Sequence, residues 1–145
     1  QRLEAVNDPL SKLRIFIENH LSFFAANMAE MKVLSHEAES LEGDMHHHVS
    51  AKKERYAKRA RKILREIQDR NGPRGTVDPT VATYALFGMM NWIYNWYDPR
   101  GKLSVNQLVD NITRLFLNGF LSTANESFSL PSSRASEKVS VWRTA

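Results

Sequence analysis

Three groups of side chains in this sequence have the types and spacing to do chemistry. His46, His47 and His48 stand in a row, and imidazole is a common zinc ligand. Successive residues on a helix point about 100° apart, so the three cannot converge on one ion. A metal site would have to pair some of them with His36 or Glu37, and we read the run instead as a solvated cluster with no metal bound. Lys52, Arg55, Lys58, Arg59, Arg61, Lys62 and Arg65 crowd one side of a helical stretch. Such a face is ordinarily solvated, and it lacks the interleaved aromatics of a single-stranded nucleic-acid surface. Glu37 falls between Leu34 and Leu41 on an otherwise apolar face, where a buried carboxylate needs a partner and could bond a polar group of a ligand.

Catalysis has less to work with. There is no cysteine, hence no thiolate and no disulfide framework. No glycine-rich phosphate loop or evident serine nucleophile stands out, and the Glu-x-x-His pairs of a di-metal carboxylate oxidase are absent. We expect no enzyme activity and no cofactor. A net charge of +4 raises nucleic acid, acidic ligands and anionic surfaces as partners without choosing among them.

The elements that must position these groups are all helical. At 145 residues the chain suits one domain. Asp8-Pro9 opens a helix whose Leu10, Leu13, Ile17, Leu21, Phe24 and Met28 recur at threes and fours, widened by Phe16, His20 and Phe23. Met31, Leu34, Ala38, Leu41 and Met45 continue the period as a new helix or a kinked extension, which Gly43 weakens and is expected to end. A third helix runs from about His48 to Arg70 and stops at Asn71-Gly72-Pro73. The stretch from Asp78 to Gly101 organises the rest: Asp78-Pro79 opens it, Asp98-Pro99-Arg100-Gly101 closes it, and its residues are apolar or aromatic around nearly the whole circumference. Such a helix must be covered on several sides, by the core and by a ligand or a second subunit. At about eighteen residues, interrupted by Asn and Thr, it is too marginal for a membrane span. Ser104 to Gln107 forms a capping box, and Leu108, Ile112, Leu115, Phe116 and Phe120 build a last helix to Ser122. Residues 123–145 turn polar and read as a mobile tail. The fold class is therefore all-α, five to six helices without a sheet.

Two segments of this type, one ending in Asn91-Trp92-Ile93-Tyr94-Asn95-Trp96-Tyr97 with the Asp98-Pro99-Arg100-Gly101 turn, the next in Leu115-Phe116-Leu117-Asn118-Gly119-Phe120, resemble the closing pair of the TetR/AcrR transcriptional regulators. Lys32 to Glu37 is similar to the second regulatory-domain helix of branches that respond to fatty acyl-coenzyme A. The resemblance covers Asp8 to Phe120. It implies a bundle whose last two long helices form a dimeric four-helix bundle, a hydrophobic effector held among the other helices, and a helix-turn-helix DNA-binding module. That module is not in this sequence, which begins at Gln1 and reads as a piece; residues 1–7 would end the connecting helix, with 8–122 as the effector and dimerisation domain. Operator DNA would be reached through the missing module, in the cytoplasm, with no membrane partner.

On this reading Tyr84, Phe87 and Met90 line the effector cavity, since methionine beside aromatics suits a flexible apolar ligand. Phe16, His20 and Phe24 face them, with Tyr56, Ala60 and Ile63 from the third helix, and Glu37 meets a polar ligand group. If the effector is a coenzyme A thioester, Lys53 and Arg59, nearest the apolar seam, are the candidate phosphate contacts. Dimer contacts fall to Met89, Trp92 and Trp96, and to Leu108, Ile112, Leu115, Phe116 and Gly119, where glycine lets a second backbone approach. The alternatives are a ligand-free helical dimer in which the same aromatics simply pack, and a metal-binding bundle enzyme.

Overall fold

Three helix starts are set by local hydrogen bonds. In the computed structural model, which describes residues 5–37, 43–71 and 77–121 and only the backbone of 34–37 and 43–45, the Asp8 carboxylate accepts from the Ser11 N–H at 2.8 Å and opens α1, Pro9–Ala26. Asp78 accepts from the Thr80 and Val81 N–H groups at 2.7 and 3.1 Å, opening α4, Pro79–Asn91. Ser104 and Gln107 bond reciprocally at the head of α5, Val105–Phe120. These bonds satisfy N–H groups that have no partner inside the helix. Between α1 and α4 lie α2, Met28–Glu37, and α3, Gly43–Asn71.

Two boundaries differ from the sequence expectation. The third helix is already formed at Gly43, five residues ahead of His48. The Asp78–Gly101 stretch is not one helix either. It leaves the α conformation after Asn91 and winds as a 3₁₀ helix over Trp92–Asn95. Three residues per turn keep Met90 and Ile93, both fully buried, on one side, and the Tyr97 N–H then reaches the Ile93 carbonyl at 2.9 Å to bring Tyr97 inward. The Tyr97 hydroxyl donates to the Leu103 carbonyl at 3.0 Å, fixing the turn that leads to α5.

The Asp78–Gly101 stretch meets every other helix, and so does α1, which packs on α2, α3, α4, the 3₁₀ helix and α5. Leu13, Phe16, Ile17 and Leu21 of α1 join Leu64 and Ile67 of α3, Leu86 and Met90 of α4 and Val109 of α5 in one apolar core. At roughly 1.5–3 kcal/mol for each fully buried large side chain, this core dominates the favourable side of folding. Ion pairs set the edges, Lys12 with Glu66 of α3 at 2.8 Å and Arg14 with Asp110 of α5 at 2.6 Å. Among the described residues all regular structure is helical, and no helix is long and apolar enough to cross a membrane. The expected tail 123–145 and linker residues 1–4 lie outside the described residues.

Candidate effector cavity

Two stripes on α4 face different neighbours. Leu86 and Met90 enter the core, whereas Tyr84, Phe87 and Asn91, spaced by three and four, line a cavity of about 680 Å³. From α1 come Asn19, His20, Phe23 and Phe24, from α2 Met31, and from α3 Lys52, Lys53, Tyr56 and Ala57. The volume lies in the range of sites that hold small organic molecules.

The wall is aromatic and ordered. Tyr56 stacks on Phe16 with ring centroids 4.7 Å apart, and His20 stacks on Phe24 at 4.3 Å. Phe87 meets Tyr56 at 5.6 Å and Phe16 edge-on at 6.1 Å. Rings locked against one another in this way lose little freedom when a ligand arrives. His20 is the polar exception: Nδ1 lies 3.3 Å from the Tyr56 hydroxyl and Nε2 3.0 Å from Asn91 Oδ1. Burial pushes its pKa down to about 4, opposed only in part by the Asn91 bond, so the ring is neutral near pH 7. Burial likewise pushes Tyr56 up to about 12, with Arg59 pulling the other way. Lys52 and Lys53 carry the positive charge at the cavity.

Of the residues the sequence pointed to, His20, Phe24, Tyr56, Tyr84, Phe87 and Lys53 come together here. Phe16, 2% exposed, forms the layer behind Tyr56 and Phe87 instead of the surface. Ala60, Ile63 and Met90 do not reach the cavity; they are core, because beyond Tyr56 α3 packs against α1 and α4 and because Met90 lies on the Leu86 side of α4. Arg59 acts on Tyr56 only through its field and is not part of the lining. The side chain of Glu37 lies outside the described residues, as does that of His36. His46, His47 and His48 are exposed on α3, and among the described residues no group of three His, Asp or Glu is placed to hold a metal. Asn91, Phe23, Asn19, Lys52, Ala57 and Met31 were missed. Asn91 was findable, one turn beyond Phe87 on the same stripe, and Lys52 lies one turn before Tyr56.

The expected dimer residues divide. Leu108, Ile112 and Phe116 point inward, 1%, 6% and 8% exposed, and complete this chain's own core, because the apolar stripe of α5 is wide enough only to face α1 and α4. Leu115 at 68%, Trp92 at 61% and Trp96 at 54% stay exposed, with Gly119 beside solvent and Met89 half-buried. On α4 the outward positions Val81, Ala85 and Gly88 repeat at four and three and lead on to Trp92 of the 3₁₀ helix, and nothing within 4 Å fills the space beside Gly88 or Gly119.

Residues 6–120 match the family described as Tetracyclin repressor-like, C-terminal domain. Among solved structures the chain is similar to a TetR-family regulator from Bordetella parapertussis 12822, with a TM-score of 0.71 and 25% identity over 82% of this chain. A TetR/AcrR regulator from Thermobifida fusca YX-ER1 gives 0.67 and 28% over 81%. AibR, solved in complex with isovaleryl coenzyme A and operator DNA, gives 0.69 and 25% over 79%. In each case the match spans 62% of the other chain. Among curated proteins there is no match. Since the family match runs through every described helix from Val6 to Phe120, the chain belongs to the TetR-like C-terminal domains, a family of transcriptional regulators and not of enzymes.

Proposed function

We propose that this domain senses a hydrophobic acyl-coenzyme A and dimerises, as the regulatory half of a cytoplasmic repressor that reads operator DNA through a helix-turn-helix module outside these residues. The observation that carries the reading is the 680 Å³ cavity, with aromatic walls for an acyl chain and Lys52 and Lys53 placed for phosphate. The complex of AibR with isovaleryl coenzyme A supports the same ligand class. The exposed apolar residues Trp92, Trp96 and Leu115, with Gly119 open to solvent and Met89 half-buried, support a two-fold partner, since exposed apolar surface asks for cover.

The mechanism is a shift of population. Two DNA-reading modules must stand roughly 34 Å apart to enter successive major grooves. An effector that fits the cavity only in the arrangement with another spacing draws the dimer off DNA, by no more than its differential affinity for the two. The test is thermal melting with isovaleryl-, octanoyl- and palmitoyl-coenzyme A beside free coenzyme A. At one hundred times its Kd a thioester adds about 2.7 kcal/mol to the folded state. A raised Tm with at least one thioester is expected; no shift with any of them removes this effector class.

A further inference from the structure

The polar side of the cavity is a chain of three side chains from three helices, Tyr56 of α3, His20 of α1 and Asn91 of α4. With Asn91 Oδ1 toward His20, its proton order follows. Asn91 Oδ1 can only accept, so the hydrogen lies on His20 Nε2; a neutral imidazole carries one N–H, so Nδ1 accepts, and the Tyr56 hydroxyl donates to it. With 7% of its surface exposed and rings stacked against it, His20 has no room to turn away. Reversing the Asn91 amide would require Nε2 to lose its hydrogen, Nδ1 to gain one and the Tyr56 hydroxyl to rotate, all together.

This order decides what the cavity offers a ligand. The oxygen of Asn91 is directed at His20, which leaves the two N–H bonds of Nδ2 as the donors of an amide that lines the cavity. The neighbouring Phe23, Phe24 and Phe87 present only ring surface. We infer that Asn91 is the specificity residue of this cavity: its amide N–H reads a carbonyl oxygen on the ligand, selecting acyl derivatives over alkyl derivatives of equal length, and His20 is the positioning residue that decides which end of the amide is presented. The inference rests on the acyl-coenzyme A reading and adds the group that is recognised and the atoms that recognise it. A cavity defined by apolar walls alone would accept a thioether as readily as a thioester, because their chains are the same. Asn91 is itself exposed, so the difference is the net worth of one amide hydrogen bond, about two- to tenfold in affinity.

The experiment is isothermal titration of the chain with isovaleryl- and octanoyl-coenzyme A, each beside the S-alkyl thioether of the same chain, which differs only in lacking the carbonyl. The unaltered protein is expected to bind the thioester at least about twofold more tightly than its thioether. Asn91→Ala brings the ratio of the two affinities to about one, because the thioester loses more than the thioether. His20→Phe, which keeps a ring on Phe24 but frees the amide, lowers the same ratio. Equal affinity of the unaltered protein for both partners of a pair overturns the inference while the effector class stands. Equal weakening of thioester and thioether by Asn91→Ala also overturns it, since that is what a merely structural residue would do. Binding of none of the four removes the effector class and the inference with it.

Discussion

Acidification provides a test of the buried imidazole that needs no ligand. In the unfolded chain His20 takes up a proton near its ordinary pKa of 6.5, whereas in the fold burial delays this to about 4. Between those values the unfolded state binds more protons, so stability falls as pH drops from about 6.5 toward 4 and is regained as pH rises. The full shift corresponds to about 3 kcal/mol at 1.36 kcal/mol per unit; by pH 5, where the unfolded imidazole is nearly all charged and the folded one nearly all neutral, about 2 kcal/mol has been lost. Against a typical domain stability of roughly 5–15 kcal/mol this is readily measured. Urea unfolding of the unaltered chain and of His20→Gln, followed by far-ultraviolet circular dichroism at pH 7 and pH 5 at one protein concentration, isolates it. Asp8, Glu66 and Asp78, whose pKa values are held below the ordinary carboxylate range by hydrogen bonds, lose their contribution at lower pH and do so in both proteins, so they cancel. The unaltered chain should lose about 2 kcal/mol more than the variant on going to pH 5. Parallel losses would refute the assignment of a neutral, enclosed imidazole, and with it the proton order of the Tyr56–His20–Asn91 chain.

Leu115→Arg, at a residue 68% exposed and outside the core, should convert a dimer into a monomer by sedimentation velocity at micromolar concentration with helix content unchanged; a surviving dimer shows that this face is not the one used. Leu86→Ala, deleting a fully buried side chain where α4 meets α1 and α3, should cost about 2–5 kcal/mol in urea unfolding, and a loss under 1 kcal/mol would mean that the core can collapse around it. Lys52→Glu with Lys53→Glu should weaken isovaleryl-coenzyme A binding and flatten or invert its dependence on salt, read by titration at two ionic strengths, because salt screens the attraction of two cations for phosphate but relieves the repulsion by two anions.

Local features were legible in the order of residues. Asp8-Pro9, Asp78-Pro79 and the Ser104–Gln107 box name three helix starts because a cap is made within one turn of chain, and the recurrence of Leu13, Ile17 and Leu21 gives the inner face of α1 for the same reason. Tertiary structure alone decided how apolar surface was shared out. Phe87 and Met90 are both large and apolar on one helix, and only the direction in which α1 and α3 cross it sends the first to the cavity and the second to the core. Leu108, Ile112 and Phe116 could equally have met a second chain; α1 took them, and Leu115 and Trp92 were left outside. The polar chain at the cavity is the extreme case, joining residues 36 and 71 positions apart in sequence. Hydrophobic attraction has no direction, so a pattern of apolar residues says that a face will be covered and not by what, whereas a hydrogen bond between distant helices exists only after packing has brought its two ends within about 3 Å.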